Sequence, residues 1–257
     1  MVNYEFNSKS TMKNYLWVTI ILIIGISSLF YLWSGKSENN SLSLEGWEDK
    51  RTKMVEQQIK KRGIKDPLVL QAMQEVPRHE FVPENLQNQA YDDIPLPIGY
   101  GQTISQPYIV ALMTENLQIV PGCKVLEVGT GSGYQAAILA QMGCQVYTIE
   151  IIKDLAEEAE KKMKKLGYHN VMVKRGDGYL GWEEEAPFDR IIVTCAVDHL
   201  PPPLLAQLKE GGKMVIPVGP PWSVQSLWIV EKTEDGITTR DLGAVRFVPL
   251  TREIQGE

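Results

Sequence analysis

The 257-residue sequence is poor in cysteine and histidine, with three residues of each. Cys123, Cys144 and Cys195 are widely spaced and form no C-x-x-C pair. This spacing argues against a disulfide framework and against a zinc site, so we expect reduced thiols and no bound metal. The sequence also lacks a G-x-S-x-G motif and any histidine spacing typical of a catalytic triad, which disfavours serine-hydrolase chemistry.

An excess of positive charge is also missing. The chain has 26 Lys and Arg against 32 Asp and Glu, a net charge of −6 and a pI near 5.3. Proteins that bind nucleic acid usually present a basic surface to the phosphate backbone. We therefore expect no nucleic-acid partner. Internal repeats and low-complexity tracts are absent as well.

Long hydrophobic runs are lacking except near the N-terminus, where 22 residues between Lys13 and Lys36 carry no charge. About 20 apolar residues span a bilayer as a helix. Trp17 and Trp33 lie near the two ends, where aromatic side chains favour the interface. We predict a tail (1–13), a transmembrane helix or signal anchor (14–35) and a linker (36–46), with the catalytic domain on the cytoplasmic face. An exported protein or a soluble cytoplasmic one remains the alternative, although no A-x-A-like cleavage site follows the run.

The rest of the chain predicts an α/β fold. A helical and loop-rich region (47–118), with Asp66-Pro67 at one helix start and Pro107 at another, precedes a core (119–257) of alternating strands and helices. We predict a doubly wound, mostly parallel seven-stranded sheet of Rossmann-like type. Predicted strands are 124–128, 145–149, 171–173, 190–194, 213–217, 226–231 and 245–248; predicted helices include 134–142, 153–166 and a short one closed by Gly211-Gly212.

A glycine-rich turn between the first core strand and its helix contains Gly129, Gly131 and Gly133. Glycines at such a turn allow a ligand to approach the backbone closely. The spacing also satisfies the dinucleotide fingerprint, so an NAD-linked oxidoreductase is an alternative.

Three acidic residues close to predicted strand ends help to separate these interpretations. Glu127 lies inside the first strand, where nucleotide-binding folds usually have an apolar residue, and a carboxylate there suits a cationic amino group. Glu150 ends the second strand and is suited to ribose hydroxyls. Asp177-Gly178 follows the third strand, at the adenine end of the crevice or simply as a turn. Glu150 is expected in NAD-binding and S-adenosylmethionine-binding proteins alike, so Glu127 is the residue that favours S-adenosyl-L-methionine as the cofactor.

The sequence resembles the protein-L-isoaspartate O-methyltransferase family, which has the class I S-adenosylmethionine-dependent methyltransferase fold. The similarity covers about residues 54–252. The most specific segment is Gly101-Gln-Thr-Ile-Ser-Gln-Pro107, which is similar to the family's active-site loop. Other similar segments are 76–82, 96–100, 126–134, 176–178, 186–189, 208–212 and 246–251.

This resemblance implies site residues and a reaction. Ser105 is identified as the active-site serine, with Thr103, Ile104 and Thr251 beside the methyl-transfer position. From the residues alone, Ser105 is equally suited to capping the helix that follows it. The implied substrates are isoaspartyl sites, and in some cases D-aspartyl sites, in damaged peptides and in unfolded or aged proteins. We expect a monomer, and another methyl acceptor is the alternative within the same class.

Overall fold

A computed structural model describes residues 46–252 of the chain. The chain divides into two compact units, residues 1–49 and 50–257. In the first unit the described residues 46–49 are helical, and the predicted tail and transmembrane helix lie outside the described residues. Within 46–252, no helix combines the length and the apolar character needed to cross a membrane.

The second unit begins with three helical segments and a loop. Residues 50–53 are α-helical and are followed by a π-helix, Met54–Ile59, and a 3-10 helix, Lys60–Arg62. Helix α1, Pro67–Glu75, begins as predicted: the Asp66 carboxylate accepts hydrogen bonds from the backbone N–H groups of Leu68 and Val69 at 2.8 and 3.3 Å. This capping satisfies donors that the first helical turn leaves free.

The proline- and glycine-rich stretch that follows forms a short hairpin. Strand β1, Leu96–Gly99, pairs antiparallel with β2, Gln102–Ile104. Tyr100 and Gly101 make the turn with positive φ values. Helix α2, Pro107–Leu117, follows directly and begins at Pro107 as predicted. The hairpin therefore places residues 103–105 at a fixed position in front of α2.

A seven-stranded sheet forms the centre of the unit, as the sequence predicts. Its strands are β3 (Lys124–Val128), β4 (Gln145–Glu150), β5 (Val171–Arg175), β6 (Phe188–Val193), β7 (Leu208–Val218), β8 (Gln225–Thr233) and β9 (Gly236–Val245). The order is β5-β4-β3-β6-β7-β8-β9, with β8 antiparallel to both neighbours and the other adjacent pairs parallel. The order reverses between β3 and β6, and a crevice opens beyond the carboxyl ends of the strands at such a point.

Helices connect the parallel strands. Helix α3 (Tyr134–Gln141) links β3 to β4, α4 (Lys153–Leu166) links β4 to β5, and α5 (Pro202–Gln207) links β6 to β7. Helix α3 is buried along its first seven residues, and the sheet face near α5 packs around Leu126, Phe188 and Met214. This buried centre explains why most residues of β3 and β6 are apolar; the exceptions are Lys124 and Glu127 in β3 and Asp189 and Arg190 in β6.

Two predictions in the last third of the chain are wrong. Gly211-Gly212 does not close a helix, because α5 ends at Gln207 and both glycines lie in an irregular stretch of β7, whose regular pairing with β6 resumes at Lys213. The last strand is Gly236–Val245 rather than 245–248. That strand is exposed along most of its length, so it lacks the apolar alternation that marks a half-buried strand.

Candidate active site

The glycine-rich loop leaves β3 at the centre of the sheet. Gly129, Gly131 and Gly133 all have positive φ, at 96°, 51° and 88°. The backbone N–H groups of Gly129 and Thr130 donate to the Ile149 carbonyl at 2.9 and 3.2 Å, which fixes the loop to the end of β4. The loop therefore keeps one shape, with its backbone facing the crevice and α3 beginning at Tyr134.

Thr194, the residue that follows β6, contacts the backbone of this loop. Its hydroxyl lies 2.6 Å from the Gly129 carbonyl and 3.0 Å from the Val128 carbonyl. A Cβ added at Gly129 would lie 2.5 Å from the Thr194 Oγ1 atom. Glycine is required at residue 129 both for its backbone conformation and for this close contact.

Glu127 is fully buried at the base of the crevice, in β3. Neither of its carboxylate oxygens has a hydrogen-bond partner among the described residues. Burial raises the pKa of Glu127 to about 8; the nearby Thr148 hydroxyl lowers it in part, and the charge of Glu150 raises it further. Because a buried carboxylate without a partner is costly, this side chain is suited to receiving a cationic donor.

Glu150, at the end of β4, already has backbone partners. Its two oxygens accept hydrogen bonds from the backbone N–H groups of Gly131 and Ile152, at 2.8 and 3.0 Å. The side chain is 6% exposed and lines the crevice. Each carboxylate oxygen has a second lone pair, so Glu150 retains capacity to accept ligand hydroxyls.

Asp177 acts as a turn residue, one of the two roles that the sequence allows. Its side chain accepts a hydrogen bond from the Tyr179 backbone N–H at 3.0 Å and caps a short 3-10 helix. Its second oxygen accepts from Arg252 at 3.0 Å, and the Arg252 guanidinium lies over the Tyr179 ring at 3.9 Å. Gly178 lies against Val128, where a Cβ would come within 2.5 Å of a methyl group.

Ser105 is half-buried and lies one residue before the N-cap of α2. The capping role considered for it is wrong, because Gln106 occupies the N-cap position and makes no side-chain cap. The Ser105 carbonyl instead accepts a hydrogen bond from the buried Arg78 side chain at 2.7 Å, and Arg78 also donates to the Ala90 carbonyl at 2.7 Å. Arg78 therefore fixes the backbone of the loop that carries Thr103 and Ser105.

Two recesses meet at this loop. The first, the glycine cleft, is lined by predicted site residues from both halves of the chain, namely Thr103, Gly129, Gly131, Glu150, Gly178 and Thr251. A narrow extension of it contains Glu127, Ile104 and Ser105. The second, the lateral groove, is lined by Thr103, Ser105, Ile109, Val224, Val245 and Arg246 among others. Thr103 and Thr194 line both recesses.

The sequence that contains this site is similar to known proteins. Residues 49–255 match the family model described as protein-L-isoaspartate(D-aspartate) O-methyltransferase. The chain belongs to the protein-L-isoaspartate(D-aspartate) O-methyltransferase family. This membership favours a methyltransferase over the oxidoreductase alternative that the glycine spacing allows.

Individual members of the protein-L-isoaspartate O-methyltransferase family are similar over most of their length. The protein-L-isoaspartate O-methyltransferase 2 of Shewanella sediminis is 52% identical over 237 residues, covering 92% of this chain and 94% of that relative. That of Syntrophobacter fumaroxidans is 62% identical over 187 residues, covering 72% and 76%. A protein-L-isoaspartate O-methyltransferase structure from Plasmodium falciparum, in complex with S-adenosyl-L-homocysteine, is 29% identical with a TM-score of 0.68 and covers 80% of this chain and 99% of its own.

Three residues that shape these two recesses are not among the predicted site residues. Arg78 lies in a segment that resembles the family, but a charged residue in a loop gives no sign that it is buried. Thr194 follows a predicted strand, which marks it as close to the crevice without indicating its hydroxyl contacts. Gln225 joins the loop before β8 to Phe247 through its side chain, a contact between distant segments that no local pattern shows.

Proposed function

We propose that this chain transfers a methyl group from S-adenosyl-L-methionine to the free carboxylate of L-isoaspartyl residues, and of D-aspartyl residues, in damaged peptides and proteins. The observation that carries the proposal is Glu127, which is fully buried beneath the glycine loop and has no hydrogen-bond partner for its carboxylate within residues 46–252. It lies within a family match over residues 49–255. Glu127 fits the cationic amino group of the methionine part of the cofactor, because opposite charges stabilise each other strongly in a dry site.

The other crevice residues fit the remaining parts of the cofactor. Glu150 is suited to the ribose hydroxyls, and Asp177 and Gly178 to the adenine end. Gly129, Gly131 and Gly133 give the close backbone approach, and Thr103, Ile104, Ser105 and Thr251 would surround the reacting methyl group. This assignment is supported by the glycine cleft and its extension, which contain or adjoin all of these residues.

Bound S-adenosyl-L-methionine supplies an electrophilic methyl group on a positively charged sulfur. The protein's part is to hold a carboxylate oxygen in line with it, and alignment of two bound reactants alone gives a large acceleration. A carboxylate is ionised at neutral pH, so the transfer requires no general base. Ser105 would orient the carboxylate by donating its hydroxyl proton, and the positive charge of Arg246 in the lateral groove favours an anionic substrate.

Methylation prepares the damaged site for repair. A carboxylate has no good leaving group, whereas its methyl ester can release methanol. The backbone nitrogen of the next residue attacks the ester carbonyl, gives up its proton and displaces methanol, which forms a succinimide. Hydrolysis of that ring returns part of the material to normal aspartate. The enzyme's contribution ends at the ester, and its selectivity lies in which carboxylate reaches Ser105.

The decisive experiment compares an isoaspartyl peptide with its aspartyl twin, using mass spectrometry to detect a gain of one methyl group. We expect methylation of the isoaspartyl peptide and little of the twin. Equal labelling of both peptides, or of neither, would refute the proposal. Calorimetry gives an independent check of the cofactor: S-adenosyl-L-methionine should bind and NADH should not.

A further inference from the structure

The loop between β7 and β8 carries a solvent-exposed tryptophan. Trp222 is 81% exposed and adopts a left-handed backbone conformation, with φ at 60°. Non-glycine residues seldom adopt this conformation, and an outlier held by its surroundings is a reason to look for a function. Single exposed apolar side chains are common on proteins, so the position and support of this one decide its meaning.

The loop that carries Trp222 is firmly held. Gln225 is 1% exposed, and its side-chain amide donates to the carbonyls of Pro220 and Ser223 at 2.9 and 3.0 Å. The same side chain accepts a hydrogen bond from the Phe247 backbone N–H at 2.9 Å. The backbone of the loop is thus fixed to the segment that lines the lateral groove, and this sets the position of residue 222 in the chain.

The same loop contributes a residue to the lateral groove. Val224, two residues after Trp222, is 47% exposed and lines the lateral groove together with Thr103 and Ser105. Pro95 also lines the groove, and its neighbour Ile94 is 44% exposed. The groove therefore leads from the methyl-transfer position to an apolar rim.

An isoaspartyl residue lies within a polypeptide, so the residues on either side of it must leave the groove along its rim. We propose that Trp222 and Val224 form a subsite for a large apolar side chain of the substrate polypeptide, within two residues of the isoaspartate. This inference rests on the proposed function. Apolar side chains are buried in folded proteins, so such a subsite selects unfolded or aged segments over the folded surface.

The test uses the full-length protein and neutral isoaspartyl hexapeptides that carry either Phe or Ala at one of the two positions on each side of the isoaspartate. At one or more positions we expect the Phe peptide to have a KM about three- to tenfold below that of the Ala peptide, the size of an aromatic contact. Trp222→Ala should remove this difference without changing kcat, and Trp222→Phe should keep most of it. Ile237→Ala, an exposed apolar residue on β9, is the matched control and should leave both KM values unchanged.

The outcomes separate the two proposals. Methylation of the Ala peptides by the wild-type chain tests the proposed function alone. If these peptides are methylated but Phe gives no advantage at any position, or if the advantage persists in Trp222→Ala, the subsite is refuted. If no isoaspartyl peptide is methylated, the proposed function fails and the subsite with it. Circular dichroism melting of Trp222→Ala should match the wild type, since the side chain is largely in solvent.

Discussion

Glu127 is an ionisable side chain in a buried site that disfavours its charged form. Burial raises the pKa of the side chain to about 8, so the cofactor-free protein at neutral pH holds it largely in the neutral form. A cationic amino group arriving beside it would restore the charged form. This residue therefore stores part of the binding free energy as an unfavourable state of the empty site.

We expect Glu127→Gln to stabilise the cofactor-free protein at pH 8 and to weaken S-adenosyl-L-methionine binding. In the folded protein the pKa is raised above its ordinary value of 4.5, so the folded state binds more protons between pH 4.5 and 8. The contribution of Glu127 to stability is thus present below pH 4.5 and lost as pH rises through 8. Relative to wild type, the gain in unfolding free energy should be on the order of 4 kcal/mol at pH 8 and only about 0.4 kcal/mol at pH 4.5.

Urea denaturation at the two pH values gives the measurement, and calorimetry gives the affinity. A variant that gains equally at both pH values would show that the amide acts through packing and not through loss of a buried charge. An unchanged affinity for S-adenosyl-L-methionine would show that Glu127 does not bind the cofactor.

Ser105 should be important for the reaction and nearly neutral for stability. Because Gln106 is the N-cap of α2, removing the Ser105 hydroxyl leaves the helix start unchanged. Ser105→Ala should lower kcat/KM for an isoaspartyl peptide about 10- to 100-fold, the range for losing a hydrogen bond to a charged group. Cofactor affinity and denaturation midpoint should stay close to wild type, and Thr238→Ala, exposed on β9, serves as the control. A lower denaturation midpoint with an unchanged kcat/KM would show that Ser105 has a structural role and does not act in the reaction.

At the scale of elements, the β3–α3 loop depends on its contact with the residue after β6. Gly129→Ala places a methyl group 2.5 Å from Thr194 Oγ1, in a backbone conformation that alanine disfavours. Gly122→Ala has a similar φ, 87°, and its added Cβ would have no atom of residues 46–252 within 4 Å, so this variant isolates the backbone cost. We expect about 1 kcal/mol for Gly122→Ala and about 3 kcal/mol for Gly129→Ala, with loss of cofactor binding in the second variant alone.

The added substitution Thr194→Ala checks the cause. Removing the hydroxyl should recover part of the lost unfolding free energy in the Gly129→Ala protein, as measured by urea denaturation. If the two glycine variants cost the same, close packing against Thr194 is not what requires glycine at residue 129.

Elements with a strong local pattern could be predicted from the sequence, and those set by distant contacts could not. Strand β3 and helix α4 have the predicted bounds, and α2 has the predicted start, because an apolar run marks β3, Pro107 opens α2 and Gly167 follows α4. The long β9 strand was missed because its residues are exposed and do not alternate. The irregular start of β7 was missed because Gly211-Gly212 is equally typical of a helix end.

In the molecule as a whole, the site also contains parts that a local sequence pattern predicts and parts that depend on distant contacts. The glycines and acidic residues follow strands whose carboxyl ends meet at one edge of the sheet, so their proximity follows from the topology alone. Placing the 103–105 loop over that edge required the resemblance to a family, because it depends on a hairpin and on the buried Arg78. The orientation of the Trp222 loop depends on the Gln225 side chain and has no local signature.

The hydrophobic run near the N-terminus bears on where in the cell the enzyme acts. Residues 14–35 lie outside the described residues, and the proposal of a membrane anchor rests on 22 uncharged residues with aromatic ends. We expect the full-length chain to stay in the membrane fraction after alkaline carbonate extraction, with an unprocessed N-terminus. The double substitution Ile23→Arg and Ile24→Arg should release it, since each charge at the centre of a span costs about 3 kcal/mol, whereas Ile23→Leu should not. A protein that begins after about residue 34 would mean cleavage and export, and an intact chain in the soluble fraction would refute the anchor. Because S-adenosyl-L-methionine is made inside cells, protease added to intact cells should leave the catalytic domain uncut.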